Sequence, residues 1–158
     1  MGIKPKTIST RLSLLYFFLN ILACAPSPHF YLQNGGQLTH AHLQEVLAEK
    51  PLSADQNIRV VTLGKGKEVS HHLVQIRDRE VPHVHKTHDL TVVMLKGKGY
   101  LMLEQKQIEL RRGDILFIPR GSVHYFVNTF SEPSVGLAVF SPVFAGKDSI
   151  PVGKTSTR

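Results

Sequence analysis

A single cysteine, Cys24, is present, so no intrachain disulfide and no cysteine-based metal cluster can form. No acidic side chain precedes Glu45. The apolar run from Leu12 to Leu22, interrupted by Asn20, is about half the roughly 20 residues that a membrane-spanning helix requires. There is no Gly-x-Ser-x-Gly elbow, no phosphate-cradling glycine loop and no paired-carboxylate constellation, which leaves nucleophilic, nucleotide-dependent and glycosidase chemistry without support. No Lys/Arg cluster is interleaved with aromatics, so nucleic acid is not an expected partner. No internal repeat is present, and the length suits one domain with a real core.

The N-terminal segment carries positive charge at Lys4, Lys6 and Arg11 ahead of its short apolar run, the pattern of a secretory signal over residues 1–23. That run ends in Ile21-Leu22-Ala23-Cys24, which resembles a bacterial lipobox. The resemblance implies lipidation of Cys24 as the first mature residue and an exported protein anchored to a membrane of the cell envelope. Two other readings stand beside it: cleavage at Ala23-Cys24-Ala25 as an Ala-x-Ala site, or retention of the segment as an uncleaved anchor. Removal of residues 1–23 leaves a charge of (19 − 3) − 12 = +4, mild enough for an anionic membrane surface or an acidic small ligand. Residues 24–56 then read as the attachment cysteine, a Pro-, Gly- and Asn-containing tether to Leu38, and a short helix. Thr39 is the expected cap of that helix, with Leu43, Val46 and Leu47 on one side as a flap over a barrel end and Pro51 as its stop.

From Asn57 the pattern changes to short strands. They are expected near 57–63, 70–77, 81–85, 90–95, 99–104, 107–110, 114–118, 123–127 and 134–140. Turns at Gly64-Lys-Gly66, Gly97-Lys-Gly99 and Arg112-Gly113-Asp114 separate them. Many short, evenly spaced strands argue for an all-β fold, a single antiparallel β-barrel or jelly roll over residues 57–142, with the short N-terminal helix outside it. Residues 143–158 read as a surface tail, with a loop across the barrel mouth as the other reading.

Within this barrel the residues that carry chemistry are histidines. In Pro82-His83-Val84-His85 the two imidazoles alternate, so both point to one face of a strand. His124 lies in another short strand, after a turn built on Pro119 and Gly121. Three neutral imidazoles from two strands make a site for one divalent transition metal: iron, manganese, nickel, zinc or copper. For the fourth position Asp89 is the expected ligand, with His88 and an open site as the other readings. A carboxylate from Asp89 would offset the charge of the ion, provided a bulge brings it to the ligand face; strict alternation back from Gly97 puts Leu90 there instead. Phe126 and Met94 read as barrel lining, Tyr100 and Tyr125 as packing residues that could offer a phenol, and Asn128 as backbone support. His71 and His72 are weak candidates, and His29, His40 and His42 have no assigned role.

These residues resemble the two motifs of the cupin superfamily. Gly113, Pro119, Gly121, His124 and Asn128 fill every position of the second, while His83, His85 and Gly97 fit the first, which lacks its glutamate. The resemblance covers roughly residues 57 to 142 and implies a metal-binding barrel, commonly dimeric. It implies dioxygenase, isomerase, lyase or decarboxylase chemistry on a small polar molecule without choosing among them. A non-catalytic module that binds a metal or small ligand at the envelope is the rival expectation, and a scaffold with a vestigial site is the third.

Overall fold

The computed structural model describes residues 26–152. Chain order is β1 (His29–Asn34), β2 (Gln37–His42), α1 (Leu43–Glu49), β3 (Ile58–Lys65), β4 (Ser70–Ile76), β5 (His83–Val84) and β6 (Asp89–Lys96). It continues through β7 (Lys98–Leu103), β8 (Lys106–Arg111), β9 (Ile115–Ile118), β10 (His124–Asn128), β11 (Ser134–Ser141) and β12 (Ile150–Pro151). Two five-stranded sheets, ordered β12-β5-β10-β7-β8 and β3-β4-β11-β6-β9, face each other as an antiparallel jelly roll. The nine strands expected from Asn57 onward all form, with ends within about two residues, because period-two alternation fixes which side chains go inward.

Inward residues of both sheets, including Leu90, Met94, Leu101, Ile118, Phe126 and Phe140, make the barrel core. Outward residues of the second sheet make another core. Leu73 and Val135 there are covered by Phe30, Leu43, Val46 and Leu47, so α1 packs on the outside of the sheet rather than over a barrel end. Leu73 is fully buried, and truncating such a leucine costs about 2–5 kcal/mol.

Three further expected features differ. The segment read as a tether contains a hairpin, β1–β2, with apolar Phe30 and Leu32 turned onto the outer core. The helix begins at Leu43 after an N-cap at His42, not Thr39, because Thr39 belongs to β2 and its hydroxyl donates to the Leu32 carbonyl at 3.1 Å. The expected surface tail is built into the barrel as far as residue 152: Phe144 packs on the core, and β12 adds a strand beside β5. Short apolar stretches separated by Gly146 gave no periodicity from which to read this.

Two glycines of the motifs have steric reasons. Gly97 has φ +86°, and a Cβ there would lie 2.2 Å from the Ser134 hydroxyl oxygen. Gly121 has φ +84°, and the turn it permits brings its amide to the His85 carbonyl at 2.7 Å, tying one motif to the other.

Candidate metal centre

His83 and His124 stand directly opposite each other in the β5–β10 pair, and His85 follows two residues along on the same face. Ring centroids are 4.4 Å apart for His83–His124, 5.1 Å for His83–His85 and 5.3 Å for His85–His124. One ligand atom from each lies within 4.8 Å of the others, and all three residues are buried.

Each ring is oriented by the same device. His83 Nδ1–H donates to the Val81 carbonyl at 2.8 Å, His124 Nδ1–H to the Ser122 carbonyl at 3.0 Å and His85 Nδ1–H to the Asp148 carbonyl at 2.9 Å. A carbonyl can only accept, so each Nδ1 carries a proton, and in a neutral ring Nε2 is then the lone-pair donor. His124 Nε2 is, among the described residues, the one buried side-chain nitrogen or oxygen with no hydrogen-bond partner. An orphaned buried acceptor of this kind costs about 1–3 kcal/mol, which a coordinated cation would recover. Burial pushes the His124 imidazole down to about 4 and lowers His85 as well, so both are neutral at pH 7, the form that ligates metal. The donor set therefore fits a divalent transition metal.

Asp89 is not brought to this triad. Its carboxylate accepts the Arg120 amide at 2.9 Å and the Arg120 guanidinium at 2.7 Å, and these bonds hold it down at about 2. No bulge interrupts β6 between Asp89 and Met94, so alternation runs unbroken and Leu90 occupies the cavity wall. His88 is not brought there either; its Nδ1 lies 2.6 Å from the Asp148 carboxylate. Asp148 also accepts the amides of Lys86 and Thr87. Burial would raise its carboxyl, but the bonds from His88, Thr87 and Lys86 prevail and hold it well below the usual range. Asp148 thus fixes the loop after His85 with its carboxylate and the His85 ring with its carbonyl.

The histidines open onto a cavity of about 290 Å³ inside the barrel. Its walls are mainly apolar, with Leu90, Met94 and Phe126 among them, and its rim includes Val81 and Val60, which are 64% and 51% exposed. Neither Tyr100 nor Tyr125 lines it. Phe140 and Phe144 stack at 4.3 Å, and the His85 ring meets both edge-on. His72 sits against the same pair, held by the Ser70 and Thr62 hydroxyls rather than aimed at the triad. Asn128 ties down the end of β10, donating to the carbonyls of Arg77 and Glu132 and accepting from Ser134 at 2.6 Å.

Sequence reasoning missed Glu80. It lines the cavity, and its Oε2 accepts the Phe126 amide at 2.9 Å. Burial raises its carboxyl above the ordinary range, against the opposing pull of His83 and the Phe126 amide. Glu80 lies an odd number of positions before His83, so strand alternation would place it on the other face. The irregular backbone of Val81 and Pro82 breaks that alternation, and Pro82 was the available signal.

The chain matches the cupin domain family over residues 70–140. An uncharacterised protein of Aquifex aeolicus is 47% identical over 110 residues, covering 70% of this chain and 89% of that protein. Quercetin 2,3-dioxygenase of Bacillus subtilis is 30% identical over 104 residues, covering 61% of this chain and 31% of the enzyme. Among solved structures, an uncharacterised double-stranded β-helix protein of Klebsiella pneumoniae superposes with a TM-score of 0.57 at 17% identity, covering 68% of this chain and 95% of that one.

Proposed function

We propose that the chain, whose residues 70–140 match the cupin domain family, is a metal-dependent enzyme of that superfamily acting on a small molecule. The carrying observation is that three histidine Nε2 donors and one acidic side chain, Glu80, share a largely apolar cavity. A divalent transition metal held by His83, His85 and His124 would supply Lewis acidity or a place for oxygen chemistry.

The remaining work falls to the protein. Leu90, Met94, Phe126 and Phe140 exclude water and take an apolar body, so the substrate is polar at one end rather than throughout. Glu80, with its carboxyl raised by burial, exchanges a proton with the substrate's polar end. The partial likeness to a quercetin dioxygenase makes oxygenation the first reaction to assay, with isomerase and lyase chemistry next. Metal analysis of untagged protein comes first, followed by assays of metal-loaded protein against small enols and hydroxy acids. Glu80→Gln should keep the metal and lose about 10²–10⁴-fold in turnover.

The mainly apolar walls favour a second reading, a non-catalytic module that holds a small molecule. Ligand binding without turnover, unchanged in Glu80→Gln, would establish it. We further propose export and lipid attachment at Cys24, supported by Lys4, Lys6, Arg11 and Ile21-Leu22-Ala23; these lie outside the described residues. A homodimer is proposed on family likeness alone.

A further inference from the structure

We propose that His29, His40 and His42 form a second metal site, outside the barrel on the exposed face of the β1–β2 hairpin. It would take a late first-row divalent cation, copper(II), nickel(II) or zinc, with water completing the coordination.

Strand register brings the three together. His29 pairs with His42 and Tyr31 with His40, so alternation places all four rings on one face of the hairpin. Ring centroids are 4.1 Å apart for His29–His42, 5.1 Å for His29–His40 and 5.0 Å for His40–His42. Their ligand atoms lie within 4.8 Å of one another. His29 Nδ1 and His40 Nε2 share a 2.9 Å hydrogen bond, whose proton an ion would displace. Two imidazole nitrogens bound to one ion at about 2.0–2.1 Å stand about 3 Å apart, so this pair already has ligand spacing. The third ring needs only side-chain rotation, and the terminal torsion of histidine is broad.

The backbone beneath is fixed. Phe30 and Leu32 on the hairpin's other face pack onto the outer core with Leu43 and Leu73. Glu45 accepts the His42 amide at 2.8 Å, and the Leu43 amide donates to the Pro28 carbonyl at 3.0 Å. Tyr31 stacks on His40 at 4.6 Å and walls one side. Imidazole donors without a carboxylate suit late transition metals and not calcium or magnesium. The inference is independent of any chemistry in the barrel.

The test uses the full chain purified without a histidine tag, stripped with chelator and dialysed against zinc. His29→Gln/His40→Gln should bind one equivalent fewer than wild type, and His83→Ala/His124→Ala should retain the hairpin equivalent. Tyr31→Phe, which keeps all three imidazoles, should bind as wild type does. Unchanged stoichiometry in His29→Gln/His40→Gln would overturn the proposal. A second measurement avoids variants altogether. In wild type, zinc should protect His29 and His40 from diethyl pyrocarbonate, read by peptide mass, and equal labelling with and without zinc would also overturn it.

Discussion

His85 and Asp148, 63 residues apart in sequence, are joined by a 2.9 Å hydrogen bond from the histidine Nδ1–H to the aspartate carbonyl. The Asp148 carboxylate meanwhile accepts the amides of Lys86 and Thr87 and contacts His88, so one residue sets both a ligand ring and the loop behind it. Asp148→Ala keeps the carbonyl but frees the segment that presents it. Metal affinity should fall about 10–100-fold, the usual cost of losing a residue that orients a ligand. Titration of the stripped protein with zinc measures this; unchanged affinity would mean that the carbonyl alone holds the ring.

His124→Ala removes one of the three donors together with the unsatisfied Nε2. The variant should stay folded, since the barrel rests on apolar burial, while losing most of its metal. Elemental analysis beside a circular-dichroism melt separates the two effects. Full metal content in both His124→Ala and His83→Ala would refute the centre.

Acid should weaken the metal-free barrel in a defined window. Burial holds His124 at about 4 against an ordinary 6.5, so below pH 6.5 the unfolded chain takes up the proton before the folded one. The stability at stake is therefore fully present above about pH 6.5 and lost progressively as pH falls toward 4. Its size is on the order of 2 kcal/mol, given about 1.4 kcal/mol per unit and incomplete desolvation. His85 shifts in the same direction. Urea melts at pH 7, 5.5 and 4.5 should show the decline, and His124→Ala should flatten it.

Asp89→Asn should leave metal affinity unchanged, because that carboxylate is engaged with Arg120. Leu90→Glu should instead tighten metal binding about tenfold, by adding a charged donor to the cavity wall. The same variant should destabilise the metal-free protein, since it buries a carboxyl in the core. Competition with a chromophoric chelator reads both affinities.

Cys24→Ser should leave the barrel folded and metal-competent, yet release the protein from membranes or trap it as a precursor. Each buried methylene of an acyl chain contributes about 0.8 kcal/mol to anchoring. Intact-mass analysis of the membrane fraction is the direct measurement; a mature chain starting at Pro26, or an unmodified Cys24 thiol, would reject the anchor.

Alternation made the barrel legible in sequence. It placed His83 and His85 on one face, and the spacing from Gly113 to Asn128 marked the His124 strand. The expectation of Asp89 as fourth ligand fails: it requires a bulge to override the alternation that puts Leu90 inward, and β6 has no bulge there. Glu80 does not follow from alternation because residues 80–82 are irregular, and Pro82 is the one local sign of it. Asp148 was illegible for a different reason: a lone aspartate among short apolar stretches carries no periodic signal, and its value comes from contacts 60 to 63 residues away. The hairpin histidines were visible as residues but not as a group, because the pairing that unites them lay in a segment whose Gly35-Gly36 turn was read as tether.

The β12 strand has a consequence for timing. His83 and His85 are made long before Asp148, Ile150 and Pro151, yet their strand is hemmed on one side, and the His85 ring aimed, only by those later residues. A nascent chain that has emerged only as far as β11 carries all three barrel histidines but not the finished coordination geometry. On the proposed function, metal capture would follow synthesis of the barrel rather than guide it, and nicking between residues 142 and 149 should loosen the His85 ring while leaving every proposed ligand in place.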